Sequence, residues 1–311
     1  MKILLTGASG QLGQELLALL TPYGEVTIVD LLVEPPLSPE RIRMDLSDLN
    51  RVEILLNRLQ PDLLVNAAAY TAVDNAENDP SLSFRLNADF PGCVAKWAER
   101  NSAFLFHYST DYVFDGQKGQ PYLEKDETGP LNVYGESKLA GEWAIAASKC
   151  RHIILRTSWV YSGHGNNFVL SMLRLARERP SLNIVCDQSG CPTWARNLAR
   201  VSGEITGQLL QRKTETERDG IYHYCDSTVT TWYDFARSIF STAGELGLLD
   251  KLPETTPVKT SEFPQTAKRP AFSVLDTSAV RHAFGIQPGE LNDSLNKCLQ
   301  ELQDHGGVAG S

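Results

Sequence analysis

The sequence feature that most constrains the fold is a glycine loop near the amino terminus, which reads GASGQLG at residues 7–13. It directly follows an apolar run at residues 2–6 that is typical of a buried strand. It opens a segment at residues 12–20 whose apolar residues recur at helical spacing. Glycine permits a tight turn at Gly7 and close packing of helix on strand at Gly13. A strand, such a loop and a helix make the first half of a β-α-β unit, so the chain is expected to build a parallel sheet.

The same alternation of strand and helix continues through the first half of the chain. Further strands are predicted at residues 26–30, 41–44, 63–65, 103–108 and 153–157. Helices are predicted between them at residues 49–59 and 80–100, with Pro80 tolerated in a first turn. The pattern predicts the α/β class, specifically a Rossmann-type doubly wound parallel sheet.

Composition excludes several classes of function. A formal net charge of −9 argues against a general nucleic-acid binder, because neutralising phosphates needs a basic face. No stretch approaches the ~18 consecutive apolar residues of a membrane span, and the first apolar run is too short for a signal peptide. The six cysteines form no CxxC pair and no metal-ligand spacing. We therefore expect a soluble cytoplasmic protein with reduced thiols.

The glycine loop predicts a dinucleotide site, because a helix start offers free N–H groups and a positive dipole end to phosphates. Asp30 ends the second predicted strand, where an acidic residue bonds the adenosine ribose hydroxyls or, alternatively, caps a turn. A carboxylate there favours NADH weakly over NADPH, and the choice stays open. Asp45 and Leu46 follow the third strand and would border the adenine. The small residues of 66–69 would let a cofactor lie close to the backbone.

The second half of the chain is less regular. Helices are predicted at residues 168–178, 198–210 and 232–241, and strands at 183–186 and 221–224. Three segments are expected to be irregular: a charged loop at 211–220, a proline-rich surface excursion at 252–270 and a glycine-rich tail at 304–311. The expected domains are an NAD(P)-binding domain at 1–165, rejoined by segments near 185–226, and a smaller, mainly substrate-binding lobe at 166–311.

A candidate catalytic pair lies at Tyr134 and Lys138, one helical turn apart on the same face. A phenol is a poor acid at neutral pH unless a nearby cation stabilises its anion, and an ammonium one turn away supplies that cation. Thr110 ends a predicted strand upstream, and the ends of parallel strands face the cofactor crevice. These residues together predict reduction of a carbonyl whose oxygen Thr110 polarises and Tyr134 protonates.

The sequence also resembles a known family, the dTDP-4-dehydrorhamnose reductases of the extended short-chain dehydrogenases. The resemblance covers nearly the whole chain and is carried by these segments: TGASGQLGQEL at 6–16, VNAAAYTAVDNAE at 65–77, STDYVFDG at 109–116, YGESKLAGE at 134–142, RTSWVY at 156–161, NNFV at 166–169, DQSGCPT at 187–193 and KRP at 268–270. It implies a reductase that converts the 4-keto group of dTDP-4-dehydro-β-L-rhamnose to the alcohol with NADPH or NADH.

The resemblance also implies roles for particular residues. Those expected around the cofactor are Gly7, Gly10, Gln11, Leu12, Gly13, Asp30, Asp45, Leu46, Ala69, Tyr70, Thr71, Tyr134 and Lys138. Thr110, Asp111 and Trp159 are expected to contact the deoxysugar nucleotide, although Trp159 on its own pattern is typical of a core residue. Arg269 is expected to contact the diphosphate, the alternative being a solvated arginine.

One position departs from the family. Some members are described as dimerising through Mg²⁺ held by glutamates, and Glu15 on the first helix matches one of them. Arg196 stands where the second glutamate is expected, and a guanidinium cannot ligate a cation. The sequence therefore predicts a monomer or weak homodimer without a Mg²⁺ bridge.

Two other functions compete with the reductase. A sugar-nucleotide dehydratase commonly has an Asp-Glu pair after the threonine, whereas Asp111 and Tyr112 follow Thr110 here; an epimerase of the same superfamily stays open. A non-catalytic regulatory subunit, similar to the β-subunit of methionine adenosyltransferase, would keep the nucleotide-binding fold without turnover. The presence of Thr110, Tyr134 and Lys138 together favours an active enzyme.

Overall fold

The computed structural model describes residues 1–32, 40–211 and 218–304, with the side chain of residue 211 left out. Most of the charged loop predicted at 211–220 and nearly all of the tail predicted at 304–311 lie outside the described residues. The strands are β1 Lys2–Thr6, β2 Glu25–Asp30, β3 Arg41–Arg43, β4 Leu63–Asn66, β5 Phe104–Thr110, β6 Arg151–Thr157, β7 Val160–Tyr161, β8 Ser181–Val185, β9 Ser189–Gly190, β10 Thr193–Trp194, β11 Gly220–His223, β12 Thr230–Thr231 and β13 Glu254–Val258. The α-helices are α1 Gln11–Leu20, α2 Leu49–Leu59, α3 Val73–Ala76, α4 Pro80–Phe84, α5 Phe90–Arg100, α6 Val133–Ser148, α7 Phe168–Glu178, α8 Ala195–Gln211, α9 Trp232–Glu245, α10 Ser278–Phe284 and α11 Leu291–Asp304.

In the described part of the chain, seven strands form one sheet in the order β11-β6-β5-β4-β1-β2-β3. All neighbouring strands in it run parallel, which confirms the predicted doubly wound α/β fold. The chain winds outward from β1 to β3 and then crosses to β4 on the other side of β1. This reversal opens a crevice at the carboxyl ends of β1 and β4, where ligands bind in sheets of this type.

Both faces of the sheet are covered, as its continuous apolar strands require. Ile3 and Leu5 of β1 point into a core shared with α1 and α8, whereas Leu4 points into the opposite core. The opposite core is shared with α2 and α5, and Trp97 is its largest fully buried side chain. The described residues include no helix with the length and hydrophobicity that a bilayer crossing requires.

The helix predicted over 80–100 is continuous but contains one π-helical turn, Arg85–Asp89, between α4 and α5. Phe90 N–H donates to the Arg85 carbonyl five residues earlier. Pro91 follows at the start of α5 and has no N–H to donate to the carbonyl of Asn87, which removes one α-helical hydrogen bond. That carbonyl meets α6 so closely that a Cβ at Gly141 would lie 2.1 Å from its oxygen.

A second lobe is built around α7, α9 and α11, whose buried faces form a separate apolar core with β8. The proline-rich stretch 252–270 is not only a loop, because Glu254–Val258 forms β13 and pairs in parallel with β8. This part of the prediction was wrong: proline is compatible with the edge of a two-stranded sheet, and Pro257 lies in such a strand.

Candidate active site

The glycine loop connects β1 to α1 at the carboxyl edge of the sheet, as predicted. Gly7 has a φ of +74°, and a Cβ there would lie 2.4 Å from the backbone nitrogen of Ala68. A Cβ on Gly13 would lie 2.0 Å from the Gly7 carbonyl oxygen, so the first turn of α1 packs directly on the loop. Gly10 is the N-cap and supplies no capping side chain. The start of α1 therefore presents backbone N–H groups that fit the phosphates of a dinucleotide.

The Gln11 side chain lines the cavity, whereas the Leu12 side chain packs in the core. The Gln11 amide lines the cavity described below and accepts a hydrogen bond from Ser162 Oγ at 2.9 Å. The Leu12 side chain packs against the apolar core between the sheet, α1 and α8.

Asp30 ends β2 beside the glycine loop, and its carboxylate already accepts two backbone N–H groups. Oδ2 accepts from Ser9 N at 2.9 Å, and Oδ1 accepts from Leu32 N at 3.1 Å. Asp45 closes a turn by accepting from Ser47 N at 2.9 Å, and this hydrogen bond is the main reason that its pKa is lowered. Leu46 is buried in the core shared with α2. Both carboxylates thus shape the backbone at the edge of the crevice.

The turn at Ala69 to Thr71 is held by Asn87, a residue that the sequence prediction missed. The Asn87 amide accepts from Tyr70 N at 2.8 Å and donates to the Tyr70 carbonyl at 3.0 Å. Asn87 lies in the π-helical turn, and its Nδ2 also donates to Ser137 Oγ of α6 at 3.0 Å. No sequence pattern could have predicted this role, because a lone asparagine in a helical segment is not distinguishable from an ordinary polar surface residue.

A cavity of about 650 Å³ opens from the crevice toward the second lobe. Sequence-predicted residues that line it are Gln11, Thr71, Thr110, Asp111, Tyr134, Trp159 and Arg269. Residues that line it and were not predicted include Asp74, Phe168, Gln188 and Trp232. The fold therefore joins Thr110 and Tyr134 with the predicted substrate-binding side chains in one space between the sheet and the lobe, whereas the third predicted catalytic residue, Lys138, does not line it.

Tyr134 lies in the first turn of α6, which begins at the Asn132 N-cap: the Asn132 side chain accepts from Gly135 N at 2.8 Å. Burial raises the pKa of Tyr134 to about 12, and a hydrogen bond with Thr110 opposes that rise. The Tyr112 ring meets the Tyr134 ring edge to face, at 5.7 Å between centroids. The phenol is thus a protonated group packed in the cavity wall, next to the hydroxyl at the end of β5.

Lys138 lies one turn further along α6 and is 2% exposed. Its Nζ donates to the Tyr108 carbonyl at 2.6 Å and lies 3.4 Å from His107 Nε2. Burial lowers the pKa of Lys138 to about 8, while the Glu142 carboxylate acts in the opposite direction. Lys138 is therefore a buried amine one turn beyond Tyr134, and it does not itself line the cavity.

Asp111 follows Thr110 and is buried at the same wall. One carboxylate oxygen accepts from Thr110 Oγ1 at 3.1 Å. Burial raises the pKa of Asp111 to about 7, and a hydrogen bond with the Ser273 side chain opposes that rise. Because Asp111 lines the cavity, its carboxylate is suited to accept a hydroxyl group from a ligand.

Trp159 forms the opposite wall and has a φ of +46°, a backbone conformation that bulky residues rarely adopt. Its ring stacks on Trp232 with 3.5 Å between centroids and an interplanar angle of 7°. Gly190 lies behind it, since a Cβ there would be 2.5 Å from the Trp159 ring. Trp159 thus lines the cavity and also packs against the apolar core of the second lobe, in an unusual backbone conformation of the kind that occurs at functional sites.

Arg269 reaches the cavity from the loop after β13 and is paired rather than solvated. Its Nη2 donates to Asp74 Oδ2 at 2.6 Å, and Nη1 donates to Gln265 Oε1 at 2.9 Å. Asp74 also accepts from the backbone N–H groups of Thr266 and Ala267. The same aspartate therefore docks the loop on α3 and orients the guanidinium.

The residues expected for a Mg²⁺ site do not fit a cation. Arg196 Nε donates to Glu15 Oε2 at 2.9 Å, and Nη1 of the same guanidinium contacts Glu301 Oε1. The space between the two glutamates is thus filled by a cation of the chain itself. Across the part of the chain that the structure describes, no group of three or more His, Cys, Asp or Glu side chains is placed to hold a metal ion.

Known proteins of similar sequence include dTDP-4-dehydrorhamnose reductases. The family model described as RmlD substrate binding domain matches residues 1–304. The dTDP-4-dehydrorhamnose reductase of Salmonella typhimurium is 42% identical over 302 residues, which cover 97% of this chain and 98% of that protein. The corresponding reductase of Burkholderia thailandensis is 39% identical over 310 residues, covering 97% of this chain and 99% of that protein.

Solved structures agree with the sequence relatives. A Bacillus anthracis dTDP-4-dehydrorhamnose reductase in complex with NADP superimposes with a TM-score of 0.84 at 32% identity, covering 96% of this chain and 99% of that one. A Clostridium acetobutylicum dTDP-4-dehydrorhamnose reductase gives 0.83 at 35% identity, covering 97% and 100%. With a family model matched over nearly its whole length and relatives near 40% identity, this chain belongs to the RmlD substrate binding domain family.

Proposed function

We propose that this chain reduces the 4-keto group of dTDP-4-dehydro-β-L-rhamnose with NADPH or NADH to give dTDP-L-rhamnose. The observation that carries the proposal is one cavity that joins the glycine loop's crevice to Thr110, Tyr134 and a wall of stacked tryptophans. The family relationship to dTDP-4-dehydrorhamnose reductases supports the identity of the sugar nucleotide.

We propose further that the two halves of the chain divide the ligands. The cofactor belongs to residues 1–165, together with the segment near 185–226 that contributes β11 beside β6. The sugar nucleotide belongs mainly to residues 166–311, whose core is separate from those of the sheet. The catalytic helix α6 stands between them.

The nicotinamide, when bound, supplies the hydride to the ketone carbon. The chain's own residues act on the ketone oxygen: Tyr134 donates its phenolic proton, and Thr110 redirects its hydroxyl proton from Asp111 to that oxygen, which polarises the carbonyl. Lys138 in its ammonium form stabilises the tyrosinate that results. Asp111 would hold a sugar hydroxyl through its carboxylate in the cavity wall, and Arg269 would hold the diphosphate through its oriented fork of donors.

The cofactor preference is proposed to be weak. The Asp30 carboxylate at the end of β2 favours NADH, because a 2′-phosphate would meet it. Both Asp30 oxygens already bind backbone N–H groups, which reduces the contact available to a ribose. We expect both cofactors to be used, with the ratio of kcat/KM values within about tenfold, a difference of ~1.4 kcal/mol.

The assembly is proposed to be a monomer or weak homodimer without a Mg²⁺ bridge, with no nucleic-acid partner and in the cytoplasm. The Arg196 guanidinium between Glu15 and Glu301 supports independence from divalent cations. Sedimentation velocity with MgCl2 and with EDTA should give the same distribution. Arg196→Glu, which offers a third carboxylate, should acquire a Mg²⁺-dependent melting temperature. Stoichiometric Mg²⁺ bound at Glu15 of the unaltered chain would contradict the proposal.

The test of the reaction is loss of reduced-nicotinamide absorbance with dTDP-4-dehydro-β-L-rhamnose, run with NADPH and with NADH. Turnover with stoichiometric formation of dTDP-L-rhamnose is the expected result. Cofactor binding without oxidation of either cofactor would sink the proposal and favour a regulatory subunit. The matched control is Tyr134→Phe, which should bind cofactor but not turn over.

A further inference from the structure

A line of buried polar side chains crosses the sheet beneath the catalytic lysine. Thr6, Asn66 and His107 lie on adjacent strands β1, β4 and β5 as direct register partners. All three are nearly inaccessible, with exposures of 4%, 2% and 0%. Their side chains form a hydrogen-bonded row that ends at Lys138, and the reaction described above makes no use of it.

The orientation of the Asn66 amide follows from its neighbours. Its Oδ1 accepts from Ala68 N–H at 3.1 Å, and a backbone N–H can only donate. The Thr6 hydroxyl donates to the same oxygen at 2.7 Å. The Asn66 amide nitrogen is therefore the atom that lies 3.0 Å from His107 Nδ1.

The histidine tautomer follows in turn. Asn66 Nδ2 is a donor, so His107 Nδ1 must accept, and a neutral imidazole then carries its proton on Nε2. Burial, with the nearby Lys138 charge as a lesser cause, holds the pKa of His107 well below its usual range. The imidazole is thus neutral, with Nε2–H directed at Lys138 Nζ, 3.4 Å away.

This contact favours the neutral amine form of Lys138 over the ammonium form. An ammonium has only donors, so it gains no hydrogen bond from an N–H that faces it, whereas the neutral amine has a lone pair that accepts. Lys138 Nζ also donates to the Tyr108 backbone carbonyl of β5 at 2.6 Å, and Tyr134 and Glu142 lie one turn before and after it on α6. Glu142 favours the ammonium, but it is shared with Arg156, whose guanidinium donates to it at 2.6 and 2.9 Å. The histidine is therefore the group from β5 that opposes the charge.

We propose that Asn66 and His107 are positioning residues that set the protonation of Lys138, by fixing the histidine tautomer that presents N–H to it. The proposal rests on the reductase function, because Tyr134 needs the ammonium form to act as an acid. Reduction should therefore fail on the alkaline side at a pH that this row of side chains sets.

The first test needs no substrate. Long-range ¹H–¹⁵N correlation of the full chain labelled with ¹⁵N-histidine should show His107 as the neutral Nε2–H tautomer at pH 7. Assignment comes from the missing signal in His107→Gln. An imidazolium, or a tautomer with its proton on Nδ1, would overturn the proposal whether or not the enzyme turns over.

The second test reverses the tautomer. In Asn66→Asp the carboxylate can accept from Ala68 N–H and from His107 Nδ1–H together, which leaves Nε2 as an acceptor for the ammonium. We expect the His107 proton to move to Nδ1, and the alkaline limb of the kcat profile to move up by about one pH unit or more, as for a lysine that gains an acceptor and a nearby negative charge.

The matched control is Thr6→Val, which disturbs the same buried row but leaves Asn66 held by Ala68 N–H. The limb and the tautomer should both stay where they are, even if the melting temperature falls. A purely structural role predicts lower stability and kcat in both variants without a shift in pH. The absence of a shift in Asn66→Asp, or an equal shift in Thr6→Val, would refute the assignment. Failure of the reductase assay itself would leave the tautomer result standing.

Discussion

The two ends of the cavity are built in different ways. At the cofactor end the wall is backbone: the glycine loop, the start of α1 and the turn after β4 come within contact distance because side chains are missing. At the sugar end the wall is side chain: Trp159, Trp232 and Arg269 arrive from segments far apart in sequence. Added atoms should therefore damage the first end, whereas removed atoms should damage the second.

The largest effect is expected where the two ends meet. Tyr134→Phe removes the proton donor and keeps the ring, so kcat should fall by about 10³-fold. Affinity for the cofactor, measured by fluorescence titration, should change by less than about twofold, because the glycine loop is untouched. Loss of cofactor binding instead would mean that Tyr134 is structural. Lys138→Ala should lower both quantities, since the ammonium serves the phenol and lies beside the cofactor crevice.

Adding one methyl group to the glycine loop should weaken cofactor binding and destabilise the fold. In Gly7→Ala the new Cβ would lie 2.4 Å from Ala68 N, at a φ of +74°, so the loop must open. We expect cofactor affinity to fall at least about tenfold and the free energy of unfolding to fall by about 2–4 kcal/mol.

Gly119→Ala is the matched control, because its φ is +66° and nothing lies within 4 Å of the added Cβ. It carries the cost of the left-handed conformation alone, about 1–2 kcal/mol, and should leave cofactor affinity unchanged. Equal effects of the two substitutions would show that close backbone approach is not what shapes this end.

Removing one aromatic ring from the wall at the sugar end should weaken binding of the sugar nucleotide. Trp232→Ala takes away the partner on which Trp159 stacks, and KM for the sugar nucleotide should rise by about tenfold, since an aromatic pair contributes ~0.5–1.5 kcal/mol beyond its burial. Cofactor affinity should not change. Trp143→Ala on α6 is the control, because that residue is 63% exposed and does not line the cavity. A matching rise in KM there would remove the claim that the stack matters.

The smallest effect is expected at Arg269. Arg269→Lys keeps the charge but loses the fork that binds Asp74 and Gln265 together, so KM should rise by about threefold with kcat unchanged. Arg174→Lys, at an exposed pair with Glu178, should have no effect on either constant. A change in kcat rather than KM at position 269 would place the arginine nearer the chemistry than the diphosphate.

The same contrast explains what the sequence could predict. The prediction matched β1, α2 and α7 residue for residue, because their apolar spacing alone selects the element. The glycine loop could be predicted equally well, because its tight turn and the helix start depend only on residues that are neighbours in sequence. Asn87 and Trp232 were missed because their roles exist only once distant segments meet. For β13 the prolines in the segment predicted a loop. Pairing with β8, which the local sequence does not show, formed a strand there instead.

The π-helical turn at Arg85–Asp89 has a consequence for how this chain can vary in length. Such a turn holds one residue more than the α-helix it interrupts. Because the extra residue is taken up within one wide turn, removing it would restore regular winding and leave Trp97 of α5 facing the core. The deletion would instead remove the widened turn from which Asn87 holds the Tyr70 backbone. A single-residue deletion in this segment should therefore disturb the edge of the crevice at Tyr70 more than it disturbs the core.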